Sequence, residues 1–195
     1  MTNTAIIDQQ LAASEIQSAR EYLEQARDSA LAVTESLSEE QWTYTPARGS
    51  WSIAGNLEHI AIIQELVLGR IAQMLKSPVE TPDTDFQAVD VITRAEVPDR
   101  SRKFPAPEFV HPTGRWAPSE SLRRLCLNTQ HLIEHLASTP GLRLHRLPSP
   151  PLKAITDGQH EFWDGYQWIL AAAAHTERHT KQILEVKSES GFPVS

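Results

Sequence analysis

The chain has 195 residues, the length of one ordinary domain, so a single domain over 1–195 is expected. Hydrophobic residues at 40% can bury a core, and 18 Lys and Arg against 25 Asp and Glu leave a net charge of −7, the wrong sign for a general electrostatic grip on nucleic acid. No basic-then-apolar leader opens the chain and no apolar run approaches the roughly 20 residues of a membrane span, so a cytoplasmic protein with no nucleic-acid or membrane partner is expected.

Four long segments carry helical periodicity. The first spans about 9–37, with Ile16, Ala19, Leu23, Ala26, Ala30, Val33 and Leu37 spaced alternately three and four. Ser38 and Pro46 bracket its end and the turn that follows. The second spans about 50–76. Ser52 can cap it by accepting an orphan N–H of the first turn. Ile53, Leu57, Ile60, Val67 and Ile71 form one stripe, and Asn56, His59, Ile63 and Leu66 form the neighbouring one. Ser77-Pro78 stops it.

Residues 77–118 then hold seven of the thirteen prolines. A short helix over Asp85 to Arg94 is expected there, and the rest reads as a long crossover that is functional or wraps the helices. The third long helix spans about 119–137, with Leu122, Leu125, Thr129, Leu132 and Leu136 as its seam, and Pro140-Gly141 ends it. A second proline-rich stretch carries Pro148, Pro150 and Pro151. The fourth helix spans about 161–187, with Trp168, Ala172, His175, His179, Gln182 and Val186 on one line. With no convincing strand, the expected fold is all-α: a four-helix bundle with long Pro-rich crossover loops.

Eight histidines are the unusual feature of the composition. His175 and His179 stand at i and i+4, which puts two imidazoles on one helix face, able to chelate one cation. With eight histidines that spacing alone is weak, but both fall on the stripe that should face the core. Two buried imidazoles must satisfy four ring nitrogens, either through a shared metal or through hydrogen bonds to neighbours. His59 is the candidate third ligand, although a lone histidine in an apolar helix is ordinarily a satisfied core residue. Glu58 precedes it and points about 100° away.

His131 and His135 make a second i,i+4 pair and match the H-x-x-E-H pattern of one zinc peptidase group, but they lie on a polar line and read as a solvated face. His111 and His145 in the loops and His160 just before the fourth helix read as surface histidines or as the mouth of a pocket, Cys126 as a small core residue. Trp163, Tyr166 and Trp168 read as core or a pocket wall, and Arg100, Arg102 and Lys103 as a solvated loop. A lone cysteine excludes an internal disulfide framework or a Cys-rich metal knuckle.

Two stretches together carry a resemblance. One is Trp51-Ser52-Ile53-Ala54-Gly55-Asn56-Leu57-Glu58-His59-Ile60. The other is Asp164-Gly165-Tyr166-Gln167-Trp168-Ile169-Leu170 running into Ala174-His175-Thr176-Glu177-Arg178-His179-Thr180-Lys181-Gln182-Ile183. The combined pattern W-S-x6-H with H-x3-H-x2-Q, from about Ala26 to Lys187, resembles the DinB-like superfamily, in the branch that includes bacillithiol transferases and metal-dependent hydrolases. The resemblance implies a four-helix bundle with an unusual crossover, a homodimer, and one divalent transition metal, zinc or nickel foremost. It implies His59, His175 and His179 as ligands and carries Gln182 over as the family's glutamine. Gln182 lies one turn past His179 on the same face, where it could support a ligand from behind. Gly55 departs from the Glu that members often carry there, which would complete a capping box with Ser52.

Three neutral imidazoles leave a cation its full charge and an open position. Such a site suits transfer of a low-molecular-weight thiol to a small-molecule electrophile, or hydrolysis through an activated water. Hydrolysis gains from a positioned acid or base, and Glu65 and Glu177 lie off the histidine lines, which favours thiol transfer. A non-catalytic metal-binding or interaction module is the alternative.

Overall fold

The computed structural model describes residues 11–46, 50–79 and 85–194. Among them are helices α1 (Ala13–Val33), α2 (Glu39–Thr43), α3 (Ile53–Met74), α4 (Phe86–Glu96), α5 (Pro118–Ser138), α6 (Pro150–Ile155) and α7 (Gly165–Lys187). Strands β1 (Arg146–Pro148) and β2 (Phe162–Asp164) pair antiparallel, with Leu147 opposite Trp163. The protein is predominantly helical.

The four long helices close a ring of packing. α1 lies against α7 and α5, and α3 lies against the same two, while α4 covers α7 from outside. Their apolar stripes meet in two buried groups. The larger runs through Leu23, Ile71, Leu132 and Ile169. The smaller gathers Ile53, Leu57, Ile60, Leu125 and Ile183.

α1 stops four residues short of the expected end. The Thr34 hydroxyl bonds the carbonyls of Ala30 and Leu31, and Ser36 turns to φ +57°. Residues 9 and 10 of the expected helix lie outside the described residues, as do 80–84 of the crossover. Ser38 does not merely end α1. It opens α2 through a capping box with Gln41, a single turn too short to leave a periodic signal. The short helix expected over 85–94 is present as α4, with the Asp85 carboxylate accepting from the Gln87 and Ala88 amides.

The expectation of no strand is corrected, since three-residue strands are shorter than any alternation can reveal. β2 also displaces the start of the last helix from 161 to 165. Asp164 forms the capping box there with Gln167, and Gly165 is required by close approach, because a Cβ would come within 3.0 Å of the Leu142 carbonyl oxygen.

α3 begins as its sequence suggests, with Ser52 Oγ accepting from the Gly55 amide at 3.1 Å. Gly55 has its own reason. A Cβ there would stand 3.3 Å from Trp51 Cβ and 3.4 Å from Pro112 Cγ, where the chain between α4 and α5 crosses the head of α3.

Candidate metal centre

α3 and α7 are antiparallel neighbours in the ring, and they bring three imidazoles together. His59, His175 and His179 each offer a ring nitrogen, and the three nitrogens lie within 4.8 Å of one another. The cluster is buried at His59 (2% exposed) and His179 (7%), and partly open at His175.

The hydrogen bonds fix which nitrogens face inward. His59 Nδ1 lies 2.7 Å from the Val110 carbonyl oxygen. A carbonyl can only accept, so Nδ1 carries the proton and Nε2 keeps its lone pair. His179 Nδ1 lies 2.9 Å from Asn56 Oδ1. Asn56 Nδ2 donates to the carbonyls of Ser52 (3.0 Å) and Trp51 (3.3 Å), which orients the amide and makes Oδ1 the acceptor. His179 Nε2 is therefore also a lone pair. His175 Nε2 sits 3.2 Å from His59 Nε2, and His175 Nδ1 is buried with no hydrogen-bond partner among the described residues.

Burial dominates the titration of all three. It lowers His59 to about 4, with the Val110 bond opposing. It holds His175 well below the ordinary imidazole range, helped by His59 and Arg178. It does the same to His179, helped by the other two histidines and by Arg100 and Arg178. Three imidazoles that are neutral at pH 7, with the Nε2 lone pairs of His59 and His179 turned inward and His175 Nδ1 orphaned, fit a transition-metal ion.

Trp51 walls the cluster, lying nearly parallel to His179 at 5.9 Å between ring centroids and tilted against His59 at 4.6 Å. Its other edge meets His111 at 5.6 Å. The chain from 97 to 115 forms a strap across this side of the molecule, tied to both ligand-bearing helices. On α7, Arg178 donates to the backbone carbonyls of Val97, Asp99 and Arg102. On α3, the buried Glu58 carboxylate accepts from the amides of Thr113 and Gly114, both at 2.8 Å, and from Arg115 Nε at 3.3 Å. Burial pushes the Glu58 carboxyl up, but those amides outweigh it and hold it below the usual carboxylate range.

A family model for the DinB superfamily matches residues 22–183. The chain belongs to the DinB superfamily. No curated protein and no solved structure matches it. No described helix is long and apolar enough to cross a membrane.

The structure thus brings the three histidines of this DinB-superfamily chain together, but it places Gln182 elsewhere. Gln182 Oε1 accepts from Arg100 Nη1 at 2.9 Å, and the partner behind His179 is Asn56. Arg100 and Arg102 are likewise not a free solvated loop. Arg100 grips Glu185 at 2.5 Å, and Arg102 reaches Asp157 at 3.1 Å. His131 is exposed, and His135 bonds Thr139 Oγ1, far from any ligand partner. His111 bonds the Ala106 carbonyl and faces Trp51. His145 is buried rather than a surface residue, His160 is half-buried, and Cys126 is half-buried on α5. Trp163 and Trp168 are core residues packed edge to face. Glu65 pairs with Arg124, and Glu177 takes the Tyr22 hydroxyl and Lys181, so neither carboxylate serves the cluster.

Asn56 and Val110 were missed as functional residues. Asn56 left a signal, an amide on an apolar stripe one turn before His59. Val110 acts through its backbone and left none.

Proposed function

We propose that the ring of long helices is a four-helix bundle that holds one divalent transition metal, zinc or nickel foremost, on His59, His175 and His179. We propose further that the protein is a metal-dependent enzyme acting on a small molecule. The observation that carries this reading is the pair of pinned tautomers: Val110 and Asn56 each take an Nδ1 proton and leave an Nε2 lone pair facing the same point. Those bonds satisfy one nitrogen on each of the two rings and leave both inward Nε2 atoms within reach of a single cation.

When bound, the cation supplies Lewis acidity, lowering the pKa of a coordinated thiol or water. The chain's own residues define what reaches it. His175 leaves one side open to solvent, while Trp51 closes another with an apolar face. Glu58, Glu65 and Glu177 are each engaged elsewhere, so none of these three carboxylates stands ready for hydrolysis. That favours transfer of a low-molecular-weight thiol, whose nucleophile needs only to be held as thiolate. The resemblance to the branch that includes thiol transferases supports the same reading.

The test is the metal content of untagged protein beside His175→Ala, followed by turnover of thiols with model electrophiles. About one metal per chain in the wild type, lost with turnover in the variant, is expected. A metal that no thiol can reach would make the site structural. No metal after zinc and nickel are offered at neutral pH would return the histidines to packing.

A further inference from the structure

The strap has an unusual relation to the histidines. Its anchor on α3 is Glu58, the chain neighbour of His59, and its anchor on α7 is Arg178, the chain neighbour of His179. Between those anchors lies the 3₁₀ turn Glu108–Val110, whose last carbonyl holds His59 Nδ1. Neighbouring helix residues point about 100° apart, so Glu58 cannot reach the cluster directly. It reaches back through the strap: carboxylate to the Thr113 and Gly114 amides, then the chain to Val110, then the carbonyl to the imidazole of the next residue on α3. The loop closes on itself within one helical turn.

The chemistry of Glu58 suits that task. Its carboxylate is 3% exposed and takes four donors, the Thr113 amide and hydroxyl, the Gly114 amide and Arg115 Nε. Two backbone amides held at 2.8 Å by one charged acceptor fix a loop in position and orientation, because charge-assisted bonds are short and directional. Among the described residues, the other hydrogen bond from this limb to α3 is the Val110 carbonyl on His59 Nδ1 itself. Gly114 turns there at φ +72°, so the limb depends on a glycine and on one carboxylate.

We propose that Glu58 is a positioning residue for the metal centre, acting through the strap to hold the Val110 carbonyl on His59 Nδ1 and so fix the imidazole tautomer that presents Nε2. This rests on the metal-centre reading for its purpose, but not for its test, because the tautomer exists without metal.

The experiment uses the full chain and the Glu58→Gln variant. An amide at 58 keeps the size of the side chain but faces one backbone N–H with another donor. In metal-free protein, long-range ¹H–¹⁵N correlation of the imidazoles, with His59 assigned through His59→Gln, reads the tautomer. The wild type is expected to show a single Nδ1–H form, and Glu58→Gln a mixture. Zinc affinity by chelator competition is expected to fall roughly 10–100-fold, the range for lost support behind a ligand. Arg143→Met, which loosens the opposite end of α7, is the control for general destabilisation, and its tautomer and zinc affinity should not move.

Should Glu58→Gln fail to fold, Gly114→Ala decides. That residue is exposed with open space around it, so its added methyl strains only the left-handed turn of the strap. A threefold or greater loss of zinc affinity, with tautomer mixing, is expected. A folded Glu58→Gln with wild-type tautomer and wild-type affinity overturns the proposal, as does an unchanged Gly114→Ala when Glu58→Gln does not fold. A wild type that binds no zinc while its tautomer still responds to Glu58 overturns the metal reading and leaves the coupling standing.

Discussion

Two buried polar clusters sit along α7, and they are built on opposite rules. At its head, Arg143 is threaded between carboxylates: Asp90 at 2.6 Å, Asp164 at 2.9 Å and Glu15 at 2.6 Å. Its guanidinium also lies over the rings of Tyr166 and Phe86, at 4.1 and 4.6 Å. Burial works against its charge, yet the Asp90 hydrogen bond and the charges of Asp164 and Asp90 prevail and raise its pKa. Eleven residues on from Asp164, about 16 Å of helix rise, His175 begins the second cluster. There the groups are neutral, and the bonds that pin His59 and His179 come from outside the cluster. The first cluster pairs its one cation with three carboxylates through both terminal guanidinium nitrogens and ties α1, α4 and α7 together. In the second, His59 and His179 are supported from behind, His175 Nδ1 has no partner, and the inward nitrogens face only one another, which is the difference between a staple and a site.

Acid should separate the two most strongly. The folded pKa values of the three histidines lie below the unfolded value near 6.5, so the unfolded chain takes up protons first. The histidines' contribution to the stability of the metal-free protein is full above pH 6.5 and is lost as pH falls toward about 4, the value for His59, at roughly 1.4 kcal/mol per pH unit for each histidine that titrates, while Asp164, raised to about 6, opposes part of that slope. Urea midpoints of chelator-treated protein between pH 7.5 and 5 should show that slope, and His175→Gln should flatten it. A slope in His175→Gln equal to that of the wild type would mean that His175 is not buried as a neutral group.

Arg143→Met should come next. Removing the cation strands Asp90 and Asp164 in the interior, a loss of about 3–5 kcal/mol at pH 7.5. Burial already pushes Asp164 up to about 6 against the pull of Arg143, so without that charge it should protonate more readily. The destabilisation is therefore expected to shrink at pH 5.5, while zinc affinity of the folded protein stays at the wild-type value. A parallel fall in zinc affinity would show that the two clusters are not independent.

The legibility of these clusters in the sequence follows the same division. The four long helices were readable because their stripes run for five turns or more, and Ala19, Leu23, Ala26 and Ala30 are buried as the spacing of three and four requires. His175 and His179 were readable because they share a line with Trp168 and Ala172. The partners behind the histidines were not. Asn56 could be seen on the right stripe but not assigned, and Val110 contributes a carbonyl that any residue would carry. The short strands at 146–148 and 162–164 are too brief for a pattern, and the burial of His145 and the tertiary grip of Arg100 depend on segments that only folding brings together. Periodicity reports which face is inside, not which distant loop returns to meet it.

Asn56 sharpens the comparison at a smaller scale. Asn56→Leu leaves His179 Nδ1–H without its acceptor, and zinc affinity should fall roughly 10–100-fold. Asn56→Asp keeps an acceptor at that position and should recover most of the loss, although both variants forgo the bonds to the Ser52 and Trp51 carbonyls and so share a drop in stability. Equal zinc affinity in the two variants would remove Asn56 from the support of the centre.

Gln182 should give the smallest effect, and it sets geometry against family resemblance. Resemblance puts a glutamine one turn past the second helix-borne ligand, in line to support it. In this chain the carbonyl of that glutamine is taken by Arg100, which also grips Glu185, so Gln182 belongs to the anchoring of the strap's near limb to α7. Arg178 fixes the same limb independently through the carbonyls of Val97 and Arg102. Gln182→Ala therefore removes one of several redundant ties and none of the bonds on a histidine. Zinc affinity is expected to stay within about twofold of wild type, and stability within about 0.5 kcal/mol. A loss as large as that of Asn56→Leu would mean that Gln182 leaves Arg100 when metal is bound and turns to His179, and that the superfamily's glutamine and this chain's Asn56 support the same ligand in different states.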